Sequence, residues 1–407
     1  MVAPGELLTF DYRTSDSTSS SCIDDHSESA LKIVQWNVER NYESKAIIDT
    51  LKELDADVYI LQEIDIGCRR SGSRDHMEEL CKALKVKGGF VCEFLEIDSP
   101  IRQPRDEGGG VHGNAILSKH DIDFRVLQHQ YHGYDWDREG EKLREPRIGQ
   151  RYTLAGTVHA AGLPPILCYC VHLEVFTGII GRVSSFSEVL EDARQHSKTI
   201  PHQVIGGDLN TMAHSIARLS WKYARDRYRF LSLGETESGW WDSHVLSFHD
   251  HDGPVNTQLM LGAAHFLFPQ RLSRWLSGFN EDVLRKARNP GFYDPWPAQE
   301  VTLENPAYFG LFKAKLDWTL LRCLRTVKRA RGNDDYRASD HKYLMVQVVP
   351  DTTEEIKQEY ALWKQRRREW NYPVGLSWCN KWTIMMTMVA FLAAATSINY
   401  WDLSVVA

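Results

Sequence analysis

Six short apolar runs in this chain end or begin on a residue able to handle protons, metals or phosphate. Asn37 follows IVQW and Glu63 follows VYILQ. His172 closes ILCYCV, and Asp208 and Asn210 follow VIGG. Asp317 opens DWTLL, and Asp340 with His341 precedes KYLMVQVV. Polar groups at the ends of buried strands converge at the rim of a sheet, where α/β proteins place their sites. The chemistry open to such a set is hydrolytic. A hard divalent cation takes carboxylate and amide oxygens and keeps positions free for water and phosphate, and Glu63 is the candidate to hold it. The ion would polarise a phosphoryl oxygen, while a histidine or aspartate beside a carboxylate takes a proton from water. A serine or cysteine nucleophile is not signalled: G-x-S-x-G is absent and no cysteine sits in a reactive motif. Gly108–Gly110 lacks a following G-K-[ST], so it is no phosphate-binding loop and reads as a flexible loop near the site. Each residue alone has a plainer reading. Glu63 suits a surface acid after a strand, GGDLNT a turn, His172 a satisfied core histidine, and Asp340-His341 a turn. Their joint occurrence in this order favours a site.

The elements that must position them read as α/β. LKIVQWNV (31–38) is a buried strand, Ser44–Leu54 a helix with Ala46, Ile47, Leu51 and Leu54 on one face, and DVYILQEI (57–64) a second buried strand. Further strands are expected at Phe90–Phe94, Asn114–Leu117, Tyr152–Val158, Ile166–His172, Gln203–Gly206, Asp317–Leu321 and Tyr343–Val349. Helices are expected at Met77–Leu84 and Arg182–Thr199. Buried runs mix with alternating ones, which favours two packed sheets with helices outside.

NVER around Asn37, LQEID around Glu63, GNAILSK at 113–119, VHL at 171–173, GGDLNT at 206–211, KLDWTLL at 315–321 and SDHKYLMV at 339–346 resemble the successive motifs of the endonuclease/exonuclease/phosphatase superfamily. They occur in that family's order across residues 31–349. The resemblance implies a four-layer sandwich of two packed mixed β-sheets flanked by helices, and a cofactor of Mg2+ or the similar Mn2+. It makes Glu63 the metal-binding acid, with Asn37 helping to hold metal or phosphate and Asp340 a further metal or supporting acid. Asp208 and Asn210 resemble the pair that orients or activates water. His341 resembles the catalytic histidine oriented by Asp317, and the base is either Asp208 or His341. His172 resembles the phosphate-contacting or acid histidine of pancreatic-type deoxyribonucleases, neutral sphingomyelinases and deadenylases. Abasic-site endonucleases generally lack it, so that branch is disfavoured.

Composition narrows the partners. The formal net charge of -7 over 407 residues does not favour a polyanion binder, although it leaves room for a local basic groove. The eight cysteines are scattered, form no zinc pattern, and read as mostly reduced thiols. With no basic start and no apolar core, the N-terminal stretch is not expected to act as a secretory signal. Residues 382–401 carry no charge and are long enough, at about 30 Å of helix, to cross a bilayer. Interfacial Trp and Tyr flank them, and basic residues lie upstream. The expected organisation is a disordered segment at 1–30, a catalytic domain at 31–350 with an aromatic-rich insertion at about 218–312, a charged linker helix at 351–381, and a C-terminal transmembrane helix at 382–401. That anchor would contact membrane lipids and leave the catalytic domain facing the cytosol. Within the insertion, 255–279 is a candidate interfacial helix, and His249–Asp252 reads as a solvated loop rather than a second metal site. The expected activity is membrane-tethered, metal-dependent hydrolysis of a phosphodiester, with a sphingomyelin-like lipid ahead of DNA or RNA. A non-catalytic membrane scaffold with the same fold is the alternative from another class.

Overall fold

The protein is described from a computed structural model, which describes residues 2–14, 29–211, 237–247, 281–304 and 313–351. The linker beyond residue 351, the 382–401 span, the 255–279 segment and His249–Asp252 lie outside the described residues, as does most of the insertion. Among the described residues no helix is long and apolar enough to cross a membrane.

Strand β2 (Leu31–Asn37) shows how the chain builds its layers. Its alternate residues Val34 and Trp36 join one hydrophobic cluster with Ile47 and Leu51 of helix α1 (Ser44–Leu54) and Met77 and Leu80 of α2 (His76–Leu84). Gln35 on its other face hydrogen-bonds across to Asp317 of the opposing sheet. Both faces are therefore covered, which explains the near-continuous apolar run. Helix α1 stops where Asp55 turns left-handed at φ 44°, and α2 starts where the Asp75 carboxylate accepts the Glu78 N–H at 2.9 Å.

The first sheet has eight strands. Its path runs β1 (Leu7–Asp11), β4 (Lys87–Glu96), β5 (Val111–Ser118), β3 (Val58–Ile66), β2, β15 (Tyr343–Pro350) and β14 (Leu324–Gly332), with β7 (Arg147–Gly149) pairing β4. The second has five, in the order β13 (Asp317–Arg322), β10 (Gln203–Asp208), β9 (Ile166–His172), β8 (Tyr152–His159) and β6 (Asp121–Gln128). Helix α4 (Ile179–His196) is held to the second sheet through Asp192, which binds Tyr169 of β9 and Arg125 of β6. The layers are thus α1 and α2, sheet, sheet, α4, and the expected α/β arrangement of two mixed sheets with outer helices is what the described residues form.

Two expectations change. Leu7–Asp11 forms an edge strand on β4 inside the segment expected to be disordered, because Leu8 and Phe10 pack against the α1/α2 cluster. Gly108–Gly110 is not a loose loop. A Cβ on Gly110 would lie 2.2 Å from the Ile66 carbonyl oxygen, so the backbone there is pressed against β3. Gly207, just before Asp208, is tighter still, with a notional Cβ 1.9 Å from the Val171 carbonyl oxygen. Gly207→Ala is expected to split β9 from β10 and lower the melting temperature by about 10 °C or more, or to leave no soluble protein. A thermal melt or an expression trial reads this directly.

Candidate active site

Register places the functional side chains. In the second sheet His172 of β9 pairs with Asp208 of β10, which pairs with Asp317 of β13, so three reactive residues stand abreast at one rim. In the first sheet Asn37 ends β2 beside Gln62 of β3. Glu63 follows in a bulge, where the β3–β5 register shifts between Leu61 and Ile64 and Glu63 takes φ 63°. A bulge re-aims a side chain, and a glutamate held at positive φ is costly enough to need support from its surroundings. The two rims face one another.

The contacts close a ring of polar groups. The Asn37 side-chain amide donates to Glu63 Oε1 at 3.2 Å and to Asp208 Oδ2 at 3.1 Å, bridging the two sheets. Its Oδ1 accepts the Glu39 N–H at 3.0 Å. Two imidazoles approach the same Asp208 oxygen, His172 Nε2 at 3.7 Å and His341 Nε2 at 3.8 Å. His341 Nδ1 lies 2.7 Å from Asp317 Oδ2, and Asp317 Oδ1 accepts from Gln35 at 2.9 Å. The backbone of His341 is pinned as well, its carbonyl accepting from Trp36 Nε1 at 2.9 Å and from Asn333 at 2.7 Å. Asp340 stands half-exposed at 3.8 Å from His341 Nε2. Asn210 turns away: its amide donates to the Leu173 carbonyl at 2.8 Å, while its backbone N–H holds Asp208 Oδ1 at 2.8 Å. Of the residues singled out by sequence, Asn37, Glu63, His172, Asp208, Asp317, Asp340 and His341 thus meet by their side chains, and Asn210 acts on Asp208 through its backbone.

Burial among like charges governs the electrostatics. Burial and the neighbouring carboxylates raise Asp208 to about 7 against the pull of His341. Burial would lower His341, yet Asp317, Asp340 and Asp208 together hold it well above the usual imidazole range. His172 falls well below that range through burial and the Arg151 guanidinium. Burial would raise Glu63, and Arg40, His112 and His341 outweigh it.

Several neighbours carried no sequence signal. His112 Nδ1 donates to Asp65 Oδ1 at 2.8 Å, and Asp65 also takes a two-point contact from Arg70 at 2.7 and 2.8 Å. Arg40 reaches Asp106 at 2.8 Å and Glu145 at 3.1 Å, and stands 3.8 Å from Glu63. Apart from Arg70–Asp65, five positions apart, these pairs join residues distant in sequence, so only the folded topology reveals them. Glu39 and Arg40 lie side by side within the NVER motif, where neither was singled out. Glu39 accepts the Asp340 N–H at 2.9 Å, and burial together with Asp340 raises it to about 7.

Glu145 supplies a pH test of this framework. Burial would raise it, and Arg147 and Arg40 more than reverse that, holding it at about 2 against an ordinary 4.5. A carboxyl depressed on folding stabilises the native state above its unfolded value and loses that contribution as pH falls through the folded one. Glu145→Gln is therefore expected to cost about 3 kcal/mol at pH 7, with the deficit shrinking below pH 4.5 and vanishing near pH 2. Urea denaturation of both proteins across that range checks it.

The donor set also bears on a metal. Among the described residues no three His, Cys, Asp or Glu side chains close on a single point to cage an ion by themselves. Magnesium does not ask for that, since it binds through one or two carboxylates and completes its octahedron with water and phosphate. Glu63, Asp340 and Glu39 are hard oxygen donors, and removal from water, together with the neighbouring carboxylates Asp317 and Glu63 for Asp208 and Asp340 and Glu63 for Glu39, raises Asp208 and Glu39. The residues present fit a divalent cation.

Residues 34–341 match the model of the Endonuclease/Exonuclease/phosphatase family. No curated protein matches the chain in sequence. Solved structures similar to it include the endonuclease/exonuclease/phosphatase from Beutenbergia cavernae, at 14% identity over 79% of this chain and 72% of that one with a TM-score of 0.42. ANGEL2, a 2',3'-cyclic phosphatase, is 14% identical over 79% of this chain and 95% of its own, with a TM-score of 0.43. The 3' phosphatase NExo from Neisseria, bound to a product DNA hairpin, is 14% identical over 78% of this chain and 98% of its own, with a TM-score of 0.38. The assignment rests on the family match, which spans most of the chain and both rims of the site: this protein belongs to the Endonuclease/Exonuclease/phosphatase family.

Proposed function

We propose that the chain is a divalent-metal-dependent phosphodiester hydrolase in which water attacks phosphorus. One observation carries this reading. The Asn37 amide joins Glu63 of one sheet to Asp208 of the other, and the imidazoles of His172 and His341 stand within 3.9 Å of those same carboxylates. Glu63 and Asp340 would hold Mg2+ or Mn2+, with Asn37 fixing the carboxylates around it. When bound, the ion polarises a phosphoryl oxygen and offsets its developing charge. Asp208, oriented by the Asn210 N–H, turns its second oxygen to the cleft and takes the proton of the attacking water. His341, with Nδ1 held by Asp317, presents Nε2 to the same region and bonds to the phosphoryl group as charge builds.

For the substrate, the same reading takes a phospholipid-type diester presented at a membrane, with residues 382–401 as the anchor and the catalytic domain on the cytosolic side. The uncharged 20-residue span and the acidic net charge support it. Full-length protein in detergent, assayed with Mg2+ or Mn2+, is expected to hydrolyse bis(4-nitrophenyl) phosphate, to stop with EDTA, and to recover when the metal is restored. Sphingomyelin vesicles, single-stranded DNA and RNA in parallel then set the class. Faster cleavage of nucleic acid than of lipid, with a steep loss at raised salt, would replace the lipid assignment by a nuclease. No turnover of any diester would leave the scaffold reading.

A further inference from the structure

The two histidines of the site are held from behind by opposite kinds of partner. His341 Nδ1 faces a carboxylate, Asp317 Oδ2, at 2.7 Å, and a carboxylate there accepts, so Nδ1 carries hydrogen. His172 Nδ1 faces Nη1 of Arg151 at 2.9 Å. A guanidinium has only donors and does not lose its proton in proteins, so Nδ1 of His172 must accept, and its hydrogen must sit on Nε2. That atom lies 3.7 Å from Asp208 Oδ2 and 3.9 Å from Glu63 Oε1, directed at the cleft.

Arg151 is built in rather than free to swing. Its Nη1 also donates to Glu93 Oε2 at 2.8 Å, its Nε stands 3.5 Å from Glu174 Oε2, and its guanidinium covers the Phe94 ring at 5.1 Å. Glu174 is fixed in turn by Trp136 Nε1 at 2.8 Å and by the Phe176 N–H at 3.0 Å. Glu93 and Glu174 are both buried.

We propose that Arg151 is a positioning residue that locks His172 in the Nε2–H form, making His172 a fixed hydrogen-bond donor to a phosphoryl oxygen and barring it from the role of general base. The two imidazoles then divide the work. His341, among three carboxylates, holds hydrogen on Nδ1 against Asp317 and as an imidazolium carries it on Nε2 as well, while His172 bears hydrogen only on the nitrogen turned into the cleft. For metal-binding imidazoles, removing the partner that fixes the tautomer typically costs about 10–100-fold, and a loss of that order is expected at His172. The proposal rests on the hydrolase reading for its catalytic consequence, while the tautomer itself is a property of the folded chain and is measurable without substrate.

The test is two-bond 1H–15N correlation spectroscopy on full-length protein labelled at histidine, with His172 assigned by the signal lost in His172→Gln. Wild type is expected to show hydrogen on Nε2 and a bare Nδ1. Arg151→Lys, which still offers only donors, should keep that pattern and keep kcat within about tenfold. Arg151→Met should release the tautomer and lower kcat by about 100-fold with a smaller change in KM. The double variant Glu93→Gln with Arg151→Met removes the charge that the single change would strand, and should behave the same way. Hydrogen on Nδ1 of His172 in the wild type, or a tautomer unmoved in both Met variants, overturns the proposal. If the wild type turns over no phosphodiester, the hydrolase reading fails and the spectrum alone still decides the lock.

Discussion

Asp208→Asn is expected to lower kcat on a phosphodiester by about a thousandfold or more while the protein stays folded. The substitution keeps the shape and keeps an oxygen to accept the Asn210 N–H, which now bonds at 2.8 Å. It removes the group that faces both imidazoles and that would take the proton of water. General-base removal costs about 10²–10⁴-fold, and here the new amide nitrogen would also point at the Asn37 amide, donor against donor, where a 3.1 Å hydrogen bond stood. The partner experiment uses His341→Ala. Residues that act as a unit are strongly non-additive, so the double variant should be little slower than the slower single one. Losses that multiply would instead mean that Asp208 and His341 serve separate steps. A melting temperature within a few degrees of wild type for Asp208→Asn separates lost chemistry from lost fold.

Among the charged residues, the largest stability effect is expected at Arg70. Its side chain is fully buried and binds Asp65 at 2.7 and 2.8 Å, with Glu96 3.2 Å away. Asp65 in turn holds Ser71 and His112, and lies two residues beyond the bulge that aims Glu63. Arg70→Met leaves two buried carboxylates without that partner. Breaking a buried pair from one side costs about 3–5 kcal/mol, which for a domain of this size lowers the melting temperature by about 10 °C. Because the stranded charge is the cause, adding Asp65→Asn should recover part of the loss. A melting temperature unchanged by Arg70→Met would mean that the network contributes little to holding the first sheet.

What the sequence revealed follows from how each element is buried. LKIVQWNV and DVYILQEI are covered on both faces, so their apolar runs stand out and the polar residues that end them are conspicuous. Strand β6, with DIDFRVLQ at a sheet edge, and β14, with the basic LRTVKRARG, are half-solvated and carry no such run. Their pairing partners define them, which a single segment cannot show. The same holds for the site. Glu63, Asp208 and His341 each close or open a readable strand. Arg70, Arg147 and Arg151 look in sequence like surface charges, and their side chains are enclosed because Asp65, Glu96, Glu93 and Glu174 arrive from other strands and loops. His112 was hidden by the glycines before it, which read as a loose loop and prove to be a tight crossing against β3.

In the proposed reaction, water reaches phosphorus in a cleft lined by both sheet rims. Hydrolysis of bis(4-nitrophenyl) phosphate by the full-length protein with Mn2+ in 18O-labelled water tests that directly. The label is expected in the phosphate monoester and absent from the nitrophenol, with turnover abolished in Asp208→Asn. Label in the nitrophenol, or undiminished turnover in that variant, would contradict it.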